Sequence, residues 1–224
     1  MLFRSTLIGP VRKILIGTAV TNELETAGPE TASEVIGRQL ETDTTLSLDA
    51  MTFDAAADDG IRPAGLLYGL SSLTPDAGSG LDAISKDVGN LAGSIADAGI
   101  AADDMILICH PRQAVQLKAV VGPKFDYLVL DTPMVPDKRV IAVAPASVAT
   151  AFSGAPTIER VPNALIHFED TDPQDIGTPG SPNVVAPRST EIFQTDMTAL
   201  RLRANEAFGV VAQGGVCFID GINW

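Results

Sequence analysis

Basic residues are in short supply in this chain. Lys and Arg together number 15 against 28 Asp and Glu, a formal net charge of -13 over 224 residues. Nucleic acid and anionic membrane surfaces both need a cationic face, so this balance opposes direct binding to either. Aromatic residues are scarce too, at 5%, and a core must be built mostly from Ala, Val, Leu and Ile. The two cysteines, Cys109 and Cys217, lie far apart and without C-x-x-C spacing. They read as reduced, buried thiols of a cytosolic protein rather than as a disulfide framework. No run reaches about 18 uninterrupted apolar residues, so no membrane-spanning helix is expected. The opening "MLFRSTLIGPVRKILIGTAV" is broken by Pro10, Arg12 and Lys13, which argues against a secretory signal.

What is present suits a packed globular protein. Hydrophobic residues make up 46% and charged residues 19%, far from the composition of a disordered chain. The length allows one large domain or two small ones.

The β-branched run from Ile14 to Val20 reads as a strand. Pro29 then suits the first turn of a helix, and Thr31 with Glu34 has capping-box spacing. Ile36, Leu40, Leu48, Met51 and Ala55 share one helical stripe, with Thr44 in the gap. Gly60 follows Asp58 and Asp59 as a stop. The pattern predicts one long helix over about 29–58. Thr42, Thr44, Thr45 and Thr52 are weak helix formers, so packing along its length must hold it. "IRPAGLLYGLSSLTPDAGSG" is a connection and a domain boundary. Leu81, Ile84, Val88, Leu91 and Ile95 predict a second helix. "DDMILICH" predicts a strand covered on both faces, and Pro111 opens a short helix. Residues 125–152 supply two or three short strands. The Pro-rich stretch 156–189 is expected to hold one strand, "NALIHFED", in an extended loop. At the end, Gln213, Gly214 and Gly215 offer a turn between two apolar strands. Helices and strands do not alternate regularly, so the expected class is α+β. No fixed-period repeat is present.

The search for chemistry yields little. His110 neighbours Cys109, but adjacent residues on a strand face opposite ways, so the pair does not make a nucleophile and base. His167 lies beside Glu169 and Asp170; one histidine and two acids fall short of the converging ligands a metal needs. Asp58-Asp59 and Asp103-Asp104 sit at element ends, without the spaced oxygens and closing Glu of a calcium loop. No phosphate-loop, dinucleotide, nucleophile-elbow or zinc-protease motif occurs. Gly17 and Gly65 read as turn or close-packing positions. Catalytic, cofactor-binding and metal-binding residues are therefore expected to be none, and the chain is expected not to be an enzyme.

The order of segments resembles that of the major capsid proteins of tailed double-stranded DNA bacteriophages, prophage-encoded members included. "TNELETAGPETASEVIGRQLETDTTLSLDAMTFDAAADDGIRPAGLL" is similar to the family's spine helix with its entry and exit phrases. "DMILICHPRQAVQLKAVVG" resembles the strand and helix of its axial domain, and "TEIFQTDMTALRLRANEAFGVV" the closing strand of its peripheral domain. "GGVCFIDGINW" resembles its C-terminal tail. The likeness runs from about residue 12 to Trp224 and rests on order and spacing, since each motif is short. It implies a peripheral domain (1–64 and 189–212) with the long helix, and an axial domain (65–188 and 213–224). It implies a structural subunit that self-assembles into hexamers and pentamers of an icosahedral shell enclosing DNA. Partners would be copies of itself, with scaffold and portal proteins, and neither membrane nor a specific nucleic-acid sequence. The location would be the virion capsid, with the bacterial cytoplasm before assembly. Only about 25 residues precede the helix, so the family's N-terminal arm and extended loop are expected to be missing, along with its cross-linking lysine. The competing reading is a soluble α/β binding or enzyme domain with an unrecognised site. A tail or portal component is a third, disfavoured because tail tubes are mostly β.

One feature stands apart in so acidic a chain. Leu200, Leu202 and Ala204 alternate with Arg201, Arg203 and Asn205, giving a strand with one apolar and one cationic face. The bland account is a charged edge that discourages stray pairing. Under the family resemblance, the arginines are expected to meet acids of the long helix (Glu30, Glu34, Glu41, Asp43) or of a neighbouring copy.

Overall fold

Three short strands with continuous apolar runs, buried on both faces, set the centre of the fold. The computed structural model describes residues 11–23, 29–60, 62–122, 125–152, 154, 157–163, 165–167, 177–178, 184–185, 189–192 and 194–224. The chain divides into two compact units: Met1–Arg12, Asp43–Ser153 and Asn205–Trp224 form the first, Lys13–Thr42 and Gly154–Ala204 the second. The mix of helices with largely antiparallel sheets is the α+β class the sequence predicts.

In the first unit, β2 (Ile106–Cys109), β3 (Leu128–Asp131), β4 (Arg139–Val143) and β12 (Val216–Asp220) form one sheet, ordered β12-β4-β2-β3. β2 and β3 are parallel and joined by helix α3 (Pro111–Val121); the other pairs are antiparallel. Side chains alternate across the sheet. Leu107, Cys109, Val140, Ala142, Cys217 and Ile219 face one core with α2 (Gly80–Asp97), whose Ile84, Val88, Leu91 and Ile95 cover them. Ile108, Ile141, Val143, Val216 and Phe218 face a second core under Leu66, Leu67, Val135 and Phe208. Burial on both faces explains the uninterrupted apolar runs. Leu107 is 0% exposed, and truncating such a residue to Ala costs about 2–5 kcal/mol. Leu81, expected on the buried stripe of α2, is exposed instead, because it sits in the helix's first turn.

The last residue closes the first core. Trp224 is buried, and its Nε1 donates to Oδ2 of Asp87 at 2.8 Å. The Asp76 backbone N–H donates to the other carboxylate oxygen, also at 2.8 Å. A buried carboxylate is tolerable only with such donors.

The long helix, α1 (Pro29–Thr52), ends six residues before the expected 58. Its terminal carbonyls find other donors: Phe53 N–H reaches Asp49 O at 2.9 Å, and Leu66 N–H returns to Thr52 O at 2.8 Å. The Asp54 carboxylate captures Ala56 N–H at 3.1 Å, turning the chain out of the helix.

The expected C-terminal turn at Gln213–Gly215 lies between two strands. Gly214 has φ +85°, and a Cβ on Gly215 would lie 2.0 Å from that of Ser147. The two strands flanking the turn do not pair with each other. β11 (Met197–Val210) pairs through Glu206–Val210 with β5 (Val148–Phe152), while β12 joins β4.

The second unit holds the start of β11, to which β1 (Arg12–Thr21) and β6 (Thr157–Val161) both pair. The Pro-rich stretch carries more strand than expected. Besides β7 (Leu165–His167), β8 (Gly177–Thr178) pairs with β9 (Val184–Val185), and β10 (Ser189–Glu191) with β7. Prolines leave room for such short ladders between them. Of α1's predicted stripe, Leu40 is buried and Ile36 and Thr44 half-buried.

Candidate functional site

Burial or local hydrogen bonds hold Cys109, Cys217, His110 and Asp137. Cys109 and Cys217 are free and buried, and burial pushes both thiols up to about 11. A thiol so disfavoured as thiolate is a poor nucleophile. Cys217 Sγ instead donates to Leu91 O at 3.5 Å. His110 is the N-cap of α3, its Nδ1 accepting from Arg112 N–H at 3.3 Å. Asp137 accepts from Gln113 Nε2 at 2.8 Å and Arg112 Nη1 at 3.1 Å; the Gln113 bond, then the nearby Arg112, hold its carboxyl below the usual range. His167 lies in β7, and Glu169 and Asp170 lie outside the described residues. Asp103 and Asp104 are exposed on a turn. Among the described residues, no group of three or more His, Cys, Asp or Glu is placed to hold a metal, and no helix is long and apolar enough to cross a membrane.

The acids after α1 clamp a loop. Asp54 takes Arg62 Nη2 on both oxygens, at 2.6 and 2.5 Å. Asp58 accepts Gly60 N–H at 2.8 Å and Arg12 Nη2 at 2.8 and 3.0 Å; these bonds, Gly60's first, lower its carboxyl. Arg12 Nη1 also donates to Gly60 O, and Asp59 accepts Arg62 N–H at 2.8 Å. Gly65 is a close-packing position, because a Cβ there would lie 2.1 Å from Asp54 Oδ1. Gly17 is not crowded in that way: among the described residues the nearest atom to a Cβ there, Leu200 O, would be 3.9 Å off.

The cationic strand face has a partner other than the expected ones. Arg201 opposes Glu159 of β6 in register, and its Nε donates to Glu159 Oε2 at 3.1 Å while Nη2 donates to the same oxygen. Directly opposed residues in an antiparallel pair are close enough for this without bending either strand. Arg203 makes no ion pair among the described residues, but its charge adds to the lowering of Glu159. Glu41 and Asp43 are exposed on α1; the side chains of Glu30 and Glu34 lie outside the described residues.

Two features escaped the sequence reading. Glu206 shares the apolar face of β11 with Leu202 and Phe208, is buried, and its Oε2 has no hydrogen-bond partner among the described residues. Burial raises its carboxyl. The strict alternation from Leu200 onward was the available signal. The second is an uncovered sheet edge. Leu128 and Leu130 extend the rows Val216–Val143–Ile106 and Phe218–Ile141–Ile108 by one strand, yet are 56% and 46% exposed.

This arrangement of long helix, two-faced sheet and cross-strand pairing is the α+β fold of tailed-phage major capsid proteins. A chain from Mycobacterium phage Bobi superposes with a TM-score of 0.69 at 13% identity, covering 96% of this chain and 72% of that one. The virus-like particle from Pyrococcus furiosus gives 0.52 at 12%, covering 95% and 77%. The satellite phage P4 procapsid including size determination (Sid) protein gives 0.52 at 11%, covering 98% and 74%. No family model matches the sequence, and no curated protein does.

Proposed function

We propose that this chain is a structural subunit of a bacteriophage or prophage capsid, self-assembling into hexamers and pentamers of an icosahedral shell that encloses DNA. The observation that carries the reading is the fold likeness, which spans 96% of the chain in the phage Bobi comparison. The exposed leucine edge of β3 supports it, since apolar surface left beside a finished core suits contact with another protein. The subunit works through its surfaces rather than a catalytic centre and needs no cofactor. Its partners are copies of itself, with scaffold and portal proteins during assembly. It resides in the virion capsid, and in the bacterial cytoplasm beforehand.

In this reading the tile has a peripheral part (1–64 and 189–212) and an axial part (65–188 and 213–224). This division and the compact units differ at 1–12, 43–64, 154–188 and 205–212, and 154–188 is the longest of these stretches. Limited proteolysis decides between them by whether 154–188 is retained with the fragment holding the central sheet.

Sedimentation velocity over a rising concentration series tests the function. A capsid subunit passes from monomer to species of five or six copies and larger closed particles. A monomer at every concentration that binds a small ligand would overturn the proposal in favour of a soluble binding or enzyme domain.

A further inference from the structure

β3 is an open edge strand. Among the described residues, β2 pairs with one side of it and no strand with the other. Such edges are commonly guarded by Lys, Pro or a bulge. Here the strand reads Leu-Val-Leu-Asp, and Leu128 and Leu130 are exposed on the face away from α3. On the α3 face, a hollow of about 500 Å³ opens beside the same strand, lined by Lys118, Gly122, Phe125, Tyr127, Leu128 and Val129. Phe125 and Tyr127 meet there edge to face, with ring centres 5.5 Å apart. Lys118 is exposed and makes no ion pair among the described residues.

We infer that this edge pairs antiparallel with β3 of a second copy of the chain, about a two-fold axis at Val129, joining two four-stranded sheets into one continuous sheet. The pairing gives partners to the open side of the backbone and an apolar neighbour to each exposed leucine.

Side-chain parity and side-chain chemistry set the register. A two-fold axis normal to the sheet keeps each face on its own side, so a slip of one residue, which would set a leucine row against the opposite face, is excluded. Centred on Val129, the pairing sets Leu128 opposite the second copy's Leu130, and Leu130 opposite its Leu128. It also sets Tyr127 opposite the second copy's Asp131. Moving the axis by one residue along the strand would instead set Leu130 against Asp126, or Leu128 against Thr132.

Charge complementarity selects this occupant. Val129 and Asp131 align with Leu107 and Cys109, whose side chains lie in the core on the α3 side of the sheet. Asp131 therefore shares the face that carries the hollow, and both its charge and that of Lys118 act on the Cys109 thiol there. Opposite Tyr127, the second copy's Asp131 comes to the mouth of the hollow, where Lys118 stands. The two-fold axis repeats the contact, so two acids meet two lysines. Such complementarity offsets repulsion between chains of net charge -13. The pairing goes beyond the proposed capsid role and does not depend on it, since rings of five and six copies turn about other axes and close through other surfaces.

The test uses the full chain with Lys118→Glu or with Asp131→Lys. Both side chains are exposed, so the fold is expected to be kept, and circular dichroism checks it. In sedimentation velocity the wild type is expected to form dimers, counted apart from any species of five or more copies. Each variant alone is expected to dimerise about tenfold or more weakly, because two attractions become two repulsions. Mixing the two variants in equal amounts is expected to restore the wild-type dimer fraction as heterodimers, since every facing pair again carries opposite charges. A contact within one chain gives no such rescue on mixing. A monomeric wild type, variants that dimerise as the wild type does, or a mixture that dimerises no better than its components would each overturn the inference.

Discussion

Arg201 and Glu159 stand directly opposite one another across the β6–β11 pair, joined by two hydrogen bonds to one carboxylate oxygen. The bond from Arg201, more than its charge alone, holds the Glu159 carboxyl below the ordinary range. A depressed carboxyl adds stability above its unfolded value, and the contribution is lost as pH falls through the folded value. Carboxyl-detected NMR should therefore show Glu159 titrating low. Arg201→Ala should return it toward normal, and Arg203→Ala should move it less. The pair is half exposed, so its effect on stability is small. Arg201→Glu sets two like charges face to face and destabilises the strand pair. Combining it with Glu159→Arg should restore the wild-type melting temperature.

Glu206 carries the opposite sign. Burial raises its carboxyl, so the folded state holds that proton more tightly than the unfolded state. The resulting penalty sets in as pH rises through the unfolded value and is complete above the folded one. Glu206→Gln should therefore stabilise the protein at pH 7, by on the order of 1 kcal/mol. The gain should vanish near pH 4. Urea unfolding at the two pH values checks the crossover.

Gly65 and Asp54 define how the long helix ends. Gly65→Ala pushes a Cβ into the Asp54 carboxylate and its carbonyl, at 2.1 and 2.2 Å. Overpacking of this kind costs about 1–3 kcal/mol. Thermal unfolding should show the loss, and Gly17→Ala, with no atom of the described residues nearer than 3.9 Å, should not show it.

Trp224 is the single tryptophan, and it reports on the core it closes. Trp224→Phe leaves Asp87 Oδ2 without its donor, at a cost of about 1–3 kcal/mol. Asp87→Asn in the same chain should recover part of that loss, because the orphaned charge is removed. Chemical denaturation followed by circular dichroism measures both.

The central sheet was legible because its strands are apolar on both faces and its α2 stripe recurs at three and four residues. The strand ending at Cys109 and the helix opening at Pro111 were legible, while the N-cap bond from Arg112 to His110 was not. Other features depended on distant partners. The end of α1 is set by Leu66 and Arg62 returning to Thr52 and Asp54, contacts that no local periodicity encodes. The turn at Gln213–Gly215 between two strands was legible, but the crowding of Gly215 by Ser147 and the flanking strands' membership of different sheets were not. The two-residue strands β8 and β9 are too short to leave an alternation. Arg201 was seen as unusual, yet its partner could be found only once β6 was placed beside β11.

Electron microscopy of concentrated protein tests the capsid reading most directly. Class averages with five- or six-fold symmetry, or closed particles of uniform diameter, are the predicted result. Single compact particles without rotational symmetry, persisting at millimolar concentration, would contradict it.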